Sequence, residues 1–332
     1  MKTIMKLADE TAVAEAAEII KNGGLVAFPT ETVYGLGANA LCEAAKAKIY
    51  AAKGRPSDNP LIYHIAEPAQ LDKIASDVPD VAKKLMDAFW PGPLTIIFQS
   101  FEGVGTVGVR MPKNPISLSL IRLAGLPVAA PSANVSGSPS PTAAAHVLGD
   151  LNGKIDMILD GGRCECGLES TVIDCVSSPP VILRPGGVTQ EEIEAQIGQV
   201  LMVTEVLGDE VPKAPGMKYK HYAPKAEVIV VTGENAADEI GALAVGPKVG
   251  IMAQTRSLSQ FAGKIVLDMG SDLEEIAANL FYLLRKCDDL GLEKVFVEGV
   301  EETGLGAAIM NRLKKAASGS GIVGLAMEGI CK

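Results

Sequence analysis

The chain has few of the residues on which triad-based and zinc-dependent catalysis depend. Its 332 residues include 3 His, 1 Trp and 6 Cys. With so few histidines, no Ser–His–Asp or Cys–His triad can be nominated. Cys164 and Cys166 are close in sequence, but no second pair or neighbouring His completes a zinc site. We therefore interpret the cysteines as reduced cytosolic thiols and predict no metal site built by the protein itself.

Aromatic residues and positive charge are also scarce. Aromatics make up 4% of the chain, hydrophobic residues 48% and charged residues 21%, which predicts globular domains with aliphatic cores. The net charge is −10 and the pI about 5.0. A broadly basic nucleic-acid-binding surface is therefore not expected, although a local basic cavity is compatible with this balance.

Long apolar segments are missing as well. No run approaches the roughly 18 apolar residues of a membrane span. The first ten residues, MKTIMKLADE, lack the apolar core of a signal peptide. We therefore predict a cytoplasmic protein without a membrane partner.

The hydrophobic pattern predicts two α/β domains. In residues 1–207 strands outnumber helices and do not alternate strictly with them, which favours a mixed sheet. In residues 227–332 apolar strands alternate with helices, which favours a smaller, parallel, Rossmann-like or flavodoxin-like sheet. Residues 208–226 are predicted to be the interdomain linker.

The predicted linker contains several Tyr, His and Lys side chains, which are residue types suited to ligand binding. Its stretch APGMKYKHYAP, residues 214–224, contains Lys218, Tyr219, Lys220, His221 and Tyr222. A passive linker is typically flexible and rich in Gly or Ser. The composition therefore indicates a role beyond connecting two domains.

A first candidate binding segment is FPTETVYGLGANA, residues 28–40. Thr30, Glu31 and Thr32 follow a buried strand, where open sheets place their ligands. We expect the glycines at 35 and 37 to let the backbone approach a ligand closely. An ordinary glycine turn is the alternative, and this stretch alone does not decide between the two.

A second candidate is KGRPSDNP, residues 53–60. Arg55 precedes a proline and is biased towards an extended conformation, in which Lys53 and Arg55 would point the same way. Two cations on one face indicate an anion between them, and a polyphosphate suits an Arg fork and a Lys point charge. The alternative is a solvated basic loop.

A third candidate is APSANVSGSPSPT, residues 130–142, which follows a buried strand. Its polar residues occupy even positions, so in an extended segment they would form one polar edge. Such an edge suits phosphate oxygens, sugar hydroxyls or a carboxylate, whereas the alternative is a flexible Ser/Pro loop.

A fourth candidate group comprises Arg110 in VGVRMP, the segment ESTVID, residues 169–174, and Arg184 in LRPGG, and each arginine stands at the end of an apolar strand. A single strand-end arginine is typically a surface ion-pair partner, but several in an acidic chain indicate an anion pocket. The first domain contains neither a P-loop nor a G-x-G-x-x-G turn between a strand and a helix.

Taken together, these motifs resemble the YrdC-like family of threonylcarbamoyl-AMP synthases. PTETVYGLG, K-x-R with DNPLIYHI, WPGPLT, VGVRMP, APSANVSG-x-PSPT, ESTVID and LRPGG stand in the family's order across about residues 5–200. PGMKYKHYAP and the Rossmann-like tail are similar to the family's two-domain form. The resemblance implies a YrdC-like first domain with a twisted mixed sheet and a concave cavity.

The resemblance also implies an activity. The family condenses L-threonine, bicarbonate or CO₂, and ATP into threonylcarbamoyl-AMP and pyrophosphate, which makes the enzyme a nucleotidyltransferase. Mg²⁺ accompanies the ATP. Separate tRNA threonylcarbamoyl-transferase proteins then modify adenosine 37 of ANN-decoding tRNAs, and this protein is expected to bind tRNA weakly at most.

Site residues carried over from the resemblance fall into three overlapping groups. The catalytic positions are Lys53, Arg55, Ser132 and Asn134. The ATP positions are Arg55, Asn59, Thr106, Ser132, Ser140, Arg184 and His221. The threonine positions are Thr32, His64, Arg110, Ala130 and Ser170. The resemblance, with the linker's composition, further predicts that the linker is an active-site lid whose Tyr and His contact the nucleotide and whose lysines face the phosphates.

Three other functions are alternatives to this one. A double-stranded-RNA-binding module is disfavoured by the acidic balance. A carbamoyl-transfer enzyme of the hydrogenase-maturation type would carry acylphosphatase-like and zinc-finger segments, which this chain lacks. A regulatory protein without activity is disfavoured because the K-x-R and S-x-N positions are intact.

Overall fold

The computed structural model describes residues 2–101, 105–203, 213–215, 221–317 and 322–323. They form two compact units. The first comprises Met1–Ser136 and Ser140–Tyr219, and the second comprises Gly137–Pro139 and Lys220–Lys332. The limits predicted at 207 and 227 stay predictions, because the residues from 204 to 212 lie outside the described part.

The first unit is built on a large sheet. Its strands are β1 (Ile4–Leu7), β2 (Val26–Phe28), β3 (Gly35–Asn39), β4 (Ile62–His64), β5 (Leu94–Gln99), β6 (Thr106–Arg110), β7 (Val128–Ala129), β8 (Met157–Asp160), β9 (Thr171–Asp174), β10 (Val181–Arg184) and β11 (Leu201–Met202). Its α-helices are α1 (Glu10–Lys21), α2 (Glu43–Lys53), α3 (Asp80–Phe89), α4 (Pro115–Ala124), α5 (Ala144–Leu151) and α6 (Gln190–Ile197). A 3₁₀ helix covers Pro68–Lys73.

The strand order is β1-β8-β2-β3-β7-β4-β6-β5-β9-β10-β11, with parallel and antiparallel pairs. In the parallel pair of β4 and β6, His64 lies opposite Arg110. In the antiparallel pair of β5 and β6, Thr95 lies opposite the same arginine. The mixed sheet thus brings three chain segments together around one strand end.

Local sequence explains where the helices that flank this sheet begin and end. The side chain of Asp9 accepts a hydrogen bond from the amide of Ala12 and caps α1. Ile20 and Ala16 on α1 are fully buried. Helix α2 ends at Gly54, which has a left-handed φ of 61° that favours glycine.

Two glycines are required by close packing rather than by a ligand. A Cβ at Gly186 would lie 2.3 Å from the amide nitrogen of Thr171, so glycine lets the LRPGG turn pack on the start of β9. A Cβ at Gly37 would lie 2.7 Å from the ring of Phe28. Packing against side chains of the core thus accounts for this glycine, and its approach to a ligand stays a prediction.

The second unit has a smaller, all-parallel sheet. Its strands are β12 (Glu227–Val231), β13 (Val249–Ala253), β14 (Ile265–Asp268), β15 (Lys294–Glu298) and β16 (Ile322–Val323), and its α-helices are α7 (Ala236–Leu243), α8 (Leu273–Asp289) and α9 (Leu305–Ala316). The strand order is β14-β13-β15-β12-β16. With this sheet, the predicted pairing of a mixed and a parallel α/β fold is confirmed. Among the described residues, no helix has the length and apolar character to cross a membrane.

Part of the predicted lid belongs to the second unit. Tyr222 has a φ of 66° and is 5% exposed. Its ring lies 5.2 Å from that of Phe281, and the Arg312 guanidinium lies 5.4 Å from its centroid. This ring is therefore packed inside its own unit, and the expected contact of Tyr222 with a nucleotide stays a prediction. Lys218, Tyr219 and Lys220 lie outside the described residues.

Candidate active site

Arg110 lies at the centre of a buried polar cluster at the end of β6. Its Nη1 donates to Oγ1 of Thr32 at 2.8 Å, and its Nη2 donates to Oε1 of Glu31 at 2.6 Å. Its Nε donates to the carbonyl of Gly92 at 3.2 Å. The structure therefore unites two predicted threonine positions, Thr32 and Arg110, that are 78 residues apart.

His64 lies opposite Arg110 at the end of β4 and is 4% exposed. Its Nδ1 has no hydrogen-bond partner among the described residues. Burial and the positive charge of Arg110 lower the pKa of His64 to about 3. A buried polar atom without a partner is costly, so a neutral imidazole here fits a ligand that offers it a hydrogen bond.

The burial of His64 predicts an acid-sensitive contribution to stability. The unfolded chain binds a proton at His64 below a pH of about 6.5, whereas the folded chain does not until near 3. Stability is thus retained above pH 6.5 and lost as the pH falls, by about 3 kcal/mol between pH 7 and pH 4. Urea unfolding at several pH values should show that the free energy of unfolding falls less steeply with decreasing pH in His64→Gln than in the wild type. The same pH dependence of the free energy of unfolding in both proteins would contradict a buried, neutral His64.

A second hydrogen-bonded group continues across the sheet from β5 to β10. Ser170 Oγ lies 2.8 Å from Oγ1 of Thr95, which itself pairs with Arg110 in the sheet. The Arg184 guanidinium donates to the carbonyl of Ser170 at 2.9 Å and to its hydroxyl at 3.1 Å. Ser170 therefore links a predicted ATP position, Arg184, to the cluster around Arg110.

Ser140 lies in the same region of the first unit and is 1% exposed. Its hydroxyl donates to Oε1 of Glu169 at 2.6 Å, and Glu169 is 6% exposed. A buried carboxylate thus stands immediately before Ser170 in the chain. The segment 169–170 therefore connects the predicted ATP position at Ser140 with the predicted threonine position at Ser170.

Lys53 lies at the end of α2 and binds the loop that follows β7. Its Nζ donates to the backbone carbonyl of Ser132 and, at 2.6 Å, to that of Asn134. The hydroxyl of Ser132 in turn donates to Oδ1 of Asn134 at 2.6 Å. Lys53 is 2% exposed, so its ammonium fixes the backbone of the loop that presents these two side chains.

The conformation expected for Lys53 and Arg55 is wrong. Lys53 is helical and Gly54 is left-handed, so residues 53–55 are not extended. Arg55 instead folds onto its own loop, with Nη2 donating to Oδ1 of Asn59 at 2.7 Å and to the carbonyl of Pro60 at 2.8 Å. Both predicted ATP positions in this loop, Arg55 and Asn59, therefore contact each other directly.

The loop at residues 130–142 is also not extended throughout. It bends at residues 133 and 134, and Gly137 has a φ of 93°. The side chains of Ser132 and Ser140 bond to different partners, Asn134 and Glu169. The six even-numbered polar residues therefore do not form the single edge that an extended segment would give.

The remaining predicted positions are more scattered. Ala130 donates its amide to the carbonyl of Ile62, next to the Arg110 cluster. Thr106 is exposed at the opposite end of β6 from Arg110, about 13 Å away for four strand residues. His221 lies in the second unit, with its ring 5.5 Å from that of Tyr222. The roles predicted for these three stay predictions.

A concave cavity of about 610 Å³ opens on the same sheet of the first unit. Its lining includes Ile62, Thr95, Ile97, Thr106, Val172 and Lys213. Ala214 is fully buried against Ile62, Ile97 and Val172. Lys213 donates to Oδ2 of the buried Asp174 at 3.0 Å. Residues 213 and 214 of the predicted linker are therefore anchored in the first unit.

Two described cysteines near the cluster, Cys164 and Cys166, are not activated. Burial raises the pKa of Cys164 to about 12. Burial likewise raises the pKa of Cys166, and the nearby Glu31 carboxylate adds to the shift. The nucleophilic form of cysteine is the thiolate, so both cysteines stay protonated and inert at neutral pH. Among the described residues, no group of three or more His, Cys, Asp or Glu could hold a metal ion.

Three further residues complete the site and were not assigned by the sequence. Glu31 and Glu169 were part of quoted motifs, but a motif does not say which side chain is buried against an arginine or a serine. Thr95 had a signal: it is a polar residue inside the strand LTIIFQ, whose other residues apart from the terminal Gln99 are apolar. Such an exception in a buried strand is typical of a hydrogen-bonded functional position.

Two family models match the chain. One, described as "Telomere recombination", matches residues 18–186, and the other, described as "Threonylcarbamoyl-AMP synthase, C-terminal domain", matches residues 188–318. The threonylcarbamoyl-AMP synthase of Pyrococcus abyssi is 50% identical over 93% of this chain and 94% of its own. That of Bacillus subtilis is 46% identical over 94% of both chains.

A solved structure is similar over nearly the whole length. The crystal structure of P. abyssi Sua5 complexed with L-threonine has a TM-score of 0.90 and 48% identity to this chain, and it covers 98% of this chain and 99% of its own. The similarity thus extends across both units and every strand that carries the cluster around Arg110.

Proposed function

The chain belongs to the threonylcarbamoyl-AMP synthase family, and on that premise we propose that it condenses L-threonine, bicarbonate or CO₂, and ATP into threonylcarbamoyl-AMP and pyrophosphate. The resemblance inferred from its motifs is confirmed. The enzyme acts as a nucleotidyltransferase, because it transfers the adenylyl group of ATP to a carbamate. Its product serves the threonylcarbamoylation of adenosine 37 in ANN-decoding tRNAs.

One observation carries the assignment of the amino-acid site: the buried cluster of Arg110, Thr32 and His64. A guanidinium carries five N–H donors, and three are engaged by Gly92, Thr32 and Glu31. Within the described part of the chain, one N–H on each terminal nitrogen has no acceptor, and we assign both to a ligand. A carboxylate is the natural partner of two such donors, and His64 Nδ1 lies on the neighbouring strand to receive the ligand's own polar group.

The chemistry needs no protein nucleophile. Threonine's neutral amine forms an N–C bond to CO₂ and releases one proton to solvent, and an oxygen of the resulting carbamate attacks the α-phosphorus of ATP. The bond from that phosphorus to the bridging oxygen breaks, and pyrophosphate leaves with the electron pair. The protein contributes positioning and charge stabilisation. The protonated thiols of Cys164 and Cys166 agree with this mechanism.

We assign the nucleotide to the region formed by the Lys53 loop contacts and by Arg184. Lys53 fixes the loop that presents Ser132 and Asn134, and Arg184 reaches Ser170 from β10. Hydroxyl, amide and guanidinium groups at this edge suit phosphate oxygens. We assign the phosphates to this edge and the threonine to Arg110, so that the carbamate forms between the two.

We propose that Mg²⁺ enters with ATP rather than at a preformed protein site. Mg²⁺ is commonly held by one or two carboxylates and substrate phosphates. Glu169, whose carboxylate is bound to the predicted ATP residue Ser140, is the group that would hold it. The ion would neutralise phosphate charge.

The proposed product defines the partners. Threonylcarbamoyl-AMP is a mixed anhydride and hydrolyses easily, so a separate tRNA-modifying transferase must consume it promptly. Direct tRNA binding is disfavoured by the net charge of −10. The lid function of the linker and the cytoplasmic location stay predictions.

Pyrophosphate release is the decisive test of this function. With the full-length protein, ATP and Mg²⁺, we expect release only when both threonine and bicarbonate are present, since the carbamate is the attacking group. A coupled pyrophosphatase assay with each component omitted in turn measures this. Undiminished release without threonine would remove the substrate assignment, and release without bicarbonate would remove the carbamate step.

A further inference from the structure

Glu31 is buried, and each of its carboxylate oxygens is bound by a different element. Oε1 accepts from Nη2 of Arg110 at 2.6 Å, and Oε2 accepts from the amide of Lys113 at 3.0 Å. The side chains of Arg110 and Glu31 are 5% and 4% exposed. A buried ion pair adds little net stability compared with apolar residues of similar size, so stability alone does not explain it.

We propose that Glu31 is a positioning residue for amino-acid binding: it holds the Arg110 guanidinium in the one orientation that presents its two remaining N–H groups to a substrate carboxylate. The inference rests on the proposed function and deepens it. The site positions that the family resemblance implies do not include Glu31, and in this role its carboxylate acts through Arg110 without contacting the substrate.

The geometry explains why a side-chain carboxylate is needed. An arginine side chain is long and has many rotamers, and ordering it is costly in entropy. Gly92 and Thr32 each fix one nitrogen of Arg110. Glu31 fixes the third nitrogen and is in turn fixed by the amide of Lys113. The guanidinium plane is therefore fully determined before the substrate arrives.

Removing the charge of Glu31 and removing its hydrogen bond to Arg110 should change the threonine affinity in opposite directions. By charge alone, the Glu31 carboxylate repels an anionic substrate group, so removing its charge should strengthen threonine binding. By positioning, loss of the bond to Arg110 should weaken threonine binding. Glutamine cannot satisfy both donors, because its amide nitrogen cannot accept from Lys113. Aspartate keeps the charge but is one methylene shorter.

The experiment compares Glu31→Gln, Glu31→Asp and a control, Glu165→Gln. Glu165 is an exposed glutamate and undergoes the same chemical change. Calorimetry on the full-length proteins measures the Kd of L-threonine and, separately, of ATP with Mg²⁺. We expect both Glu31 variants to raise the threonine Kd about tenfold or more, as loss of one charge-assisted hydrogen bond implies, while ATP affinity changes less than about twofold. Glu165→Gln should match the wild type.

Each other result overturns the proposal. Tighter threonine binding by Glu31→Gln, with no change in Glu31→Asp, would show a charge effect only. Equal losses of threonine and ATP affinity, or loss of the folded state in thermal unfolding of both variants, would show a purely structural role. Failure of the proposed function itself is recognised separately, because the wild type would then release pyrophosphate without threonine.

Discussion

Replacing Arg110 with leucine is expected to lower kcat/KM for threonine by about three powers of ten, because two charge-assisted hydrogen bonds of about 1.5–3 kcal/mol each are lost. The arginine is 4% exposed and is bound to Gly92, Thr32 and Glu31. Pyrophosphate release at varied threonine concentration measures the effect. The affinity for ATP should change little, since the predicted phosphate-binding side chains lie on other elements.

Two further variants make this result interpretable. Arg110→Leu leaves Glu31 buried without its partner, which can cost about 3–5 kcal/mol of stability. Arg110→Lys keeps a charge but loses the fork geometry, so it should fold and still lose much of the threonine affinity. Arg122→Leu, on the exposed face of α4, is the matched control. A folded Arg110→Lys protein with a wild-type KM for threonine would contradict the assignment.

Replacing Lys53 with methionine is expected to reduce kcat by about two to three powers of ten, through loss of two charge-assisted bonds to the backbone. The buried ammonium holds the carbonyls of Ser132 and Asn134. Without it, the loop that carries both side chains loses its anchor on α2. Hydrogen exchange of the peptide spanning residues 131–142 should become faster in the same variant.

The loop measurement separates this role from direct contact with phosphate. If Lys53 served only as a phosphate ligand, Lys53→Met would weaken ATP binding but leave hydrogen exchange in the loop unchanged. Lys48→Met is the matched control, because Lys48 is an exposed lysine on the same helix and bonds to the carbonyl of Gly23. It should behave as the wild type in both measurements.

The sequence was sufficient for the fold class and for the strand ends that carry the site. The alternation of apolar strands and helices after residue 227 corresponds to β12–β16 and α7–α9. Arg110 and Arg184 end strands β6 and β10, as predicted. These features follow from periodicity and local residue preference, which one sequence contains.

Contacts between distant segments could not be predicted in the same way. Glu31 and Arg110 are 79 residues apart, and Lys53 and Asn134 are 81 apart. Their pairing depends on strand order, which no local pattern specifies. The error at Lys53 had a local cause: the proline at 56 restrains Arg55, but the helix continues through Lys53 and Gly54 reverses the chain.

The burial of Ala214 has a consequence for dissecting the protein. A fragment that ended at the predicted boundary, residue 207, would remove the cover from Ile62, Ile97 and Val172. It would also deprive the buried Asp174 of Lys213, whose hydrogen bond, with that of Ser177, outweighs burial and lowers the pKa of this carboxyl. Exposed apolar surface of this kind promotes aggregation. A soluble catalytic fragment should therefore retain the chain through Pro215, so that its poor behaviour is not mistaken for a requirement for the second unit.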